Sequence, residues 1–298
     1  MHKNILIAGA SGLIGQKLAS KLKSSGYQVK TLGRGNNSDY QWDPMNHKID
    51  SKALEGIDVV INLSGANVSK HRWTKKFKNE IYDSRIYTNR LLFEAAQKTN
   101  HIPKLFITSS ATGIYPNNGM QKLTEESEIG TDFLANTCSH WEQEAFNFES
   151  VGCRTVALRT GIVLAKEGGF LPRISAPIKW CLGAALGSGK QMTSWIHIDD
   201  LCNMFIYIIE NNNIVGPVNA TSPQAETNMS ITKAIAKKMN RSIILPNIPG
   251  WVLRILFGEF ASELLSDKNV VPRKLLESGF KFQYTNCSEA LHDLMAAE

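Results

Sequence analysis

Short apolar runs alternate with longer amphipathic stretches through the first half of the chain, the pattern of parallel strands joined by crossover helices. Ile5 to Ala8 reads as a buried strand. Ile14, Leu18 and Leu22 then recur at i, i+4, i+8, one face of a helix that stops near Ser24-Ser25-Gly26. Further strands are predicted at Gln28 to Leu32, Asp58 to Leu63, Lys104 to Thr108 and Arg154 to Leu158, with helices around 74–98 and 132–150. Beyond about residue 165 the alternation loosens. The Gly- and Pro-bearing stretch from Gly168 to Pro177 reads as a loop, Met204 to Glu210 as a buried helix, and the lobe after Pro246 as short helices and turns.

Between the first strand and the first helix lies Gly9-Ala10-Ser11-Gly12-Leu13-Ile14-Gly15, a GxxGxxG spacing. Gly9 permits a tight turn, Gly12 lets a phosphate approach the backbone, and Gly15 lets helix and strand pack closely, while free N–H groups at the helix start face the anion. Ser11 adds a hydroxyl. A flexible turn is the competing reading, and the strand before and helix after favour nucleotide binding. An NAD-selective site commonly ends its second strand on Asp or Glu, which holds the ribose 2′-hydroxyl. Here Leu32-Gly33-Arg34 stands instead. A guanidinium offers paired donors to a 2′-phosphate that a carboxylate would repel, so NADP(H) is expected over NAD(H); a solvated surface arginine is the alternative for Arg34.

The expected architecture is an α/β, doubly wound parallel sheet of Rossmann type with a smaller C-terminal α/β lobe. The expected divisions are a dinucleotide-binding core over 1–165, remaining core strands and substrate-side segments over 166–245, and a small C-terminal domain over 246–298.

Composition narrows the class only a little. Hydrophobic residues at 43% and charged residues at 20% exclude a disordered chain. The formal charge of +6 comes from 33 basic residues scattered among 27 acids, and the dense group Lys75, Lys76 and Lys78 sits beside Glu80 and Asp83, so no nucleic-acid partner is expected. Five cysteines without a CxxC pair, and seven histidines without metal spacing, argue against a disulfide framework and against a metal site. With no long apolar run, no membrane partner is expected, and a cytoplasmic location is the expectation.

GxxGxxG, the turn Asn62-Leu63-Ser64-Gly65-Ala66 and the strand end Ser109-Ser110-Ala111 resemble the extended short-chain dehydrogenase/reductase superfamily. INLSGA, RWT followed by SRI, LANTCSHWE, LRTGIVL, SWIHIDDL and VPRKLLESGFKF together resemble its atypical epimerase-like subfamily, labelled NAD-dependent epimerase/dehydratase-like, from end to end. That resemblance implies that Gly9, Ser11, Gly12, Leu13, Ile14 and Gly15 hold the pyrophosphate. It implies that Gly33 and Arg34 reach the adenosine phosphate, and that Leu63 and Ser64 line the adenine and ribose side. Glu80 and Arg85 are implied to reach the cofactor from a helix, with a surface salt bridge as their alternative, and Val163 to lie near the nicotinamide.

Superfamily members move the substrate proton with a Tyr whose pKa a Lys four residues later lowers. The helix expected to carry that pair, Asp132 to Glu142, has neither residue. Ser110 matches the superfamily's catalytic hydroxyl, and Tyr115 is the candidate substitute donor, with loop packing as its competing role. Cys138 and His140 at i, i+2 face apart. His197 and Asp199 invite an acid/base role, against which stand a helix cap by Asp199 or Asp200 before Leu201 and a short strand packed by Trp195, Ile196 and Ile198. Two functions stand side by side: an NADP(H)-dependent, epimerase-like oxidoreductase acting on an unknown small molecule, and a non-catalytic NADP(H)-binding sensor or scaffold.

Overall fold

The computed structural model describes residues 3–296. Eight strands form the central sheet: β1 (Asn4–Ala8), β2 (Gln28–Gly33), β3 (Tyr40–Asp43), β4 (Lys48–Ile49), β5 (Val59–Asn62), β6 (Leu105–Ala111), β7 (Arg154–Thr160) and β8 (Gly216–Ala220). Their spatial order is β8-β7-β6-β5-β1-β2-β3-β4. Every pairing is parallel except β3 with β4. The chain leaves β1 toward β2 on one side and returns to β5 on the other. That reversal opens a crevice at the carboxyl ends of β1 and β5, where doubly wound sheets take their ligands.

Among the described residues, ten α-helices accompany the sheet: α1 (Leu13–Ser24), α2 (Lys75–Thr99), α3 (Phe133–Phe146), α4 (Phe170–Lys179), α5 (Ile198–Glu210), α6 (Asn228–Lys238), α7 (Gly250–Phe257), α8 (Ala261–Leu264), α9 (Arg273–Glu277) and α10 (Cys287–Leu294). Side chains alternate across a strand, so β1 feeds two cores. Ile5 and Ile7 pack with Leu18 and Leu22 of α1 and with Phe205 and Ile208 of α5. Leu6 and Ala8 face the opposite layer, with Leu91, Leu92 and Ala96 of α2 and Phe106 of β6. Being buried on both faces, β1 and β5 read as continuous apolar runs, which is why they were recognisable.

The C-terminal helices are tied to the sheet by backbone as well as side chains. Asn269–Val270 pairs in parallel with Lys122–Leu123, and the buried Asp200 carboxylate accepts the N–H groups of Gln283 and Tyr284, both at 2.8 Å.

Two sequence expectations need correction. The stretch read as a loop, Gly168 to Pro177, becomes helix α4 from Phe170 onward. Pro172 falls in its first turn, where the missing N–H has no intrahelical acceptor to lose, and only Pro177 lies deeper. Helix α5 begins at Ile198 and is capped by the His197 ring, whose Nδ1 accepts from Asp199 N at 3.0 Å, so neither Asp199 nor Asp200 is its cap. Among the described residues, no helix is long and apolar enough to cross a membrane.

Candidate cofactor and substrate site

The turn from β1 into α1 is shaped around its glycines. Gly9 has φ 81°, a left-handed conformation. A Cβ on Gly15 would stand 2.4 Å from the Gly9 carbonyl oxygen and 2.7 Å from Ala10 Cα. A Cβ on Gly12 would meet only the Gly9 oxygen, at 3.5 Å, and otherwise project into open space. Gly12 is also the N-cap of α1 and brings no side-chain acceptor, with no acidic residue in the first turn. The first N–H groups of a helix have no intrahelical partner and carry the positive end of its dipole. Leu13 and Ile14 therefore present donors to the crevice beside the exposed Ser11, an anion cradle with space where a Cβ would be.

The neighbouring turn after β5 is held rigidly against this cradle. Buried Asn62 accepts from Ser64 N at 3.0 Å and donates to Asn89 at 2.7 Å; Asn89 donates in turn to Thr108 at 3.1 Å and to the Trp141 carbonyl at 3.0 Å. Leu63 N donates to Ala8 O at 2.9 Å. Leu63 and Ser64 thus stand directly against Gly9, where an added Cβ would meet Leu63 C at 2.9 Å and Ser64 N at 3.0 Å.

At the end of β2, Arg34 is exposed, and a Cβ on Gly33 would lie 2.2 Å from Ser38 Oγ. Nearby Asp39 turns back to accept from Thr31 N and Thr31 Oγ1, each at 2.8 Å. Burial alone would raise this carboxyl, but the Thr31 hydrogen bonds and Lys30 hold it below the ordinary range. Its negative charge is engaged by strand β2.

Glu80 and Arg85 are not brought together. Glu80 is exposed on α2, whereas Arg85 donates to Ile81 O at 2.9 Å and to Ala66 O at 3.2 Å, with its guanidinium 5.0 Å from the Trp141 ring. Arg85 braces the turn after β5. The expected alternative of a salt bridge between the two is not realised among the described residues. Val163 lies on the strand Ile162–Leu164, paired with Ile196; the following Gly169 packs between the Val163 carbonyl and the Leu13 side chain.

Ser110 and Tyr115 are both enclosed. Ser110 is 3% exposed, and its Oγ donates to Glu142 Oε1 at 2.6 Å. Tyr115 is fully buried; its hydroxyl donates to Asn219 at 2.7 Å and accepts from Arg159 at 2.8 Å. Burial pushes that phenol up to about 12, against the opposing pull of Arg159. A hydroxyl enclosed and doubly partnered in this way has no side open to solvent, which counts against Tyr115 as a substitute proton donor. Of its two readings, this burial favours loop packing. Ser110 in its present partnership is likewise a structural hydroxyl.

The groups that organise this network were missed in the sequence. Arg159 grips Glu142 through Nε and Nη2, both at 2.8 Å, and also donates to Glu125 O at 3.2 Å, while Glu125 Oε1 accepts from Asn219 N at 3.0 Å. The only signal available was a set of charged residues inside apolar runs, such as Arg159 in LRTGIVL.

Other candidates resolve simply. The Cys138 thiol is buried and pushed up to about 12 by that burial, and exposed His140 pairs with the Tyr82 hydroxyl at 2.9 Å, so they do not act together. His197, Asp199 and Asp293 offer ligand atoms within 4.8 Å of one another. The ring's Nδ1 lone pair is already spent on Asp199 N, and Lys17 and Lys21 stand 3.2 Å and 3.9 Å from the Asp199 carboxylate, so cations of the chain itself occupy its open side.

Comparison with known proteins agrees with this geometry. Residues 5–220 match the model of the NAD dependent epimerase/dehydratase family, and residues 248–294 match a domain of unknown function, DUF1731. An epimerase family protein of Mycobacterium leprae is 35% identical over 291 residues, covering 96% of this chain and 94% of that protein. One from Staphylococcus aureus strain MRSA252 is 35% identical over 305 residues, covering 99% of each. The crystal structure of the human epimerase family protein SDR39U1 (isoform 2), solved with NADPH, superposes with a TM-score of 0.89 at 27% identity, over 98% of this chain and 99% of that one. The chain therefore belongs to the NAD dependent epimerase/dehydratase family, in its atypical short-chain dehydrogenase/reductase branch that carries the DUF1731 domain at the C-terminus.

Proposed function

We propose that this protein binds NADP(H) and acts as an epimerase-like oxidoreductase on a small molecule held between the carboxyl edge of the sheet and the C-terminal lobe. The observation that carries this reading is the uncapped start of α1. Gly12 leaves both space and unpaired N–H groups for a pyrophosphate, and Arg34 stands free at the end of β2 to meet a 2′-phosphate. The structural relative solved with NADPH supports the same choice of dinucleotide.

The bound dinucleotide supplies hydride chemistry at its nicotinamide. The chain's part is positional. Leu13 and Ile14 donate to the pyrophosphate, Leu63 and Ser64 wall the crevice, and Arg85 keeps the 62–66 turn in place through Ala66. Titration calorimetry with NADPH, NADP⁺ and NADH tests the reading: we expect NADPH to bind well ahead of NADH, and equal affinities for the two would overturn the assignment of Arg34. Turnover of NADPH against a panel of small carbonyl compounds tests the enzymatic half.

One observation favours a second reading, a non-catalytic NADP(H) sensor or scaffold. Ser110 and Tyr115 are both consumed by the buried Arg159 network. This reading expects NADPH and NADP⁺ to bind with different affinities and no carbonyl to be reduced, because a ligand shifts a conformational equilibrium only by its differential binding.

A further inference from the structure

Helix α3 presents Leu134 and Cys138, four residues apart, toward the end of β6. A Cβ on Gly113 would lie 3.5 Å from the Leu134 side chain, and the Cys138 thiol is held against the Ala111 backbone. The resemblance to the superfamily implies a Tyr and a Lys on this helix, and here the i, i+4 pair Leu134 and Cys138 is uncharged. A cation reaches the same place from the other lobe. Lys268 directs its Nζ to the Gly113 carbonyl, at 3.5 Å, and to Glu263 Oε2, at 3.9 Å.

The backbone of Lys268 is fixed, and its head group is not. Its N–H donates to Met192 O at 3.0 Å, its carbonyl accepts from Ser194 Oγ at 2.9 Å, and Ser194 Oγ also receives Val270 N at 2.8 Å. The ammonium has three protons to donate, yet among the described residues those two long contacts are all it makes, with its side chain only 6% exposed. An under-satisfied buried ammonium is costly unless a ligand completes it. Among the described residues Glu263 is the only carboxylate paired with it, its side chain 30% exposed. Burial pushes the Glu263 carboxyl above its usual range, with Lys268 opposing.

We propose that Lys268, partnered by Glu263, is a substrate-binding residue whose ammonium receives a carbonyl or carboxylate oxygen of a small molecule lying against the Leu134 face of α3. The site rests on the oxidoreductase reading above, since it places the substrate's oxygen at the carboxyl edge where the cofactor crevice opens. A donor aimed at that oxygen orients the substrate and stabilises the negative charge that grows on it during reduction. The cation then comes from the C-terminal segment and not from α3.

Two measurements test this. The wild-type protein is treated with glyoxylate and cyanoborohydride: the aldehyde condenses with a free amine, losing water, and the imine is reduced to a carboxymethyl group. Peptide mass analysis should find Lys268 modified at least as fast as exposed Lys75, because the probe's carboxylate and carbonyl are drawn to it; Lys268 left unmodified while Lys75 and Lys76 are converted overturns the proposal. Lys268→Met should unfold at the same temperature as wild type or roughly 2–4 °C higher, since an unsatisfied charge is removed. A lower unfolding temperature means that Lys268 is a structural ion-pair partner, and the proposal falls. NADPH affinity of Lys268→Met, compared with wild type by calorimetry, separates the two readings: loss of NADPH binding by the wild type itself, with Lys268 still modified by glyoxylate, sinks the cofactor assignment and leaves this site standing.

Discussion

Arg159 and Glu142 meet side by side, with Nε to Oε1 and Nη2 to Oε2 both at 2.8 Å, in a pair whose side chains are 5% and 6% exposed. Two parallel charge-assisted bonds fix both the distance and the plane. The same carboxylate accepts a hydrogen bond from the Ser110 hydroxyl, and the same guanidinium donates to the Tyr115 hydroxyl, so β6, β7, α3 and the loop after β6 are joined at one point. Replacing one partner strands the other charge in the core, which costs about 3–5 kcal/mol.

Arg159→Met should therefore lower the urea midpoint strongly, and pairing it with Glu142→Leu should recover a large part of the loss, because the second change removes the stranded carboxylate. Urea unfolding followed by circular dichroism measures both. A single variant as stable as the wild type would show that the pair is not what holds these elements together.

The functions of Gly12 and Gly15, which lie in one turn of sequence, can be separated by the same kind of experiment. Gly15→Ala forces a Cβ to within 2.4 Å of the Gly9 oxygen, against backbone that cannot move aside, so it should lose stability by roughly 1–3 kcal/mol. Gly12→Ala meets nothing closer than 3.5 Å and should melt near the wild-type temperature. Its methyl group occupies the space assigned to the pyrophosphate, so NADPH affinity should fall at least about tenfold, a loss of roughly 1.4 kcal/mol. Thermal unfolding and calorimetry on both variants check the contrast; a Gly12→Ala protein with normal NADPH affinity would refute the placement of the phosphates.

The cradle was legible in sequence because everything in it is local. Strand, glycine spacing and helix follow within Ile5 to Leu22, and each signal has one physical cause. The Arg159 network was not, since Ser110, Glu142, Arg159 and Asn219 come from four separate elements and meet only when parallel strands align them. Helix α4 was hidden by its prolines: Pro172 reads as a breaker until its place in the first turn is known. The strands β3, β4 and β8, toward the two edges of the sheet, are short or bear a Gly-Pro start, which leaves little periodicity to detect. Lys268 was invisible as a partner for α3 for the same reason as the network, being 130 residues beyond Cys138 and delivered by the other lobe.

Arg34 is the residue on which the choice of dinucleotide turns. A charge-assisted contact to a 2′-phosphate is worth about 1.5–3 kcal/mol, so Arg34→Ala should weaken NADPH binding by roughly 10- to 150-fold while leaving NADH nearly unchanged. Calorimetry at a fixed ionic strength gives both affinities. Parallel losses for the two cofactors would assign Arg34 to folding or to general anion attraction rather than to the phosphate.

His197 couples acidity to the seam between the sheet and the C-terminal lobe. The ring is fully buried, stacks on Tyr284 at 3.9 Å between centroids, and uses its Nδ1 lone pair to cap α5. Burial holds its pKa below the ordinary 6.5, although Asp199, Asp293 and Asp200 each pull upward. The unfolded chain takes the proton near pH 6.5, and the folded protein refuses it until lower pH. Stability is thus complete above about pH 6.5 and is lost as pH falls through the folded value, since folding must then expel a proton. Protonation also removes the acceptor from the helix start, leaving Asp199 N without its cap. His197→Asn keeps an acceptor at the cap and has no proton to gain, so its unfolding temperature should decline less between pH 6.5 and 5 than that of the wild type. Thermal unfolding at half-unit steps measures the two slopes, and identical slopes would mean that the acid sensitivity of the fold lies elsewhere.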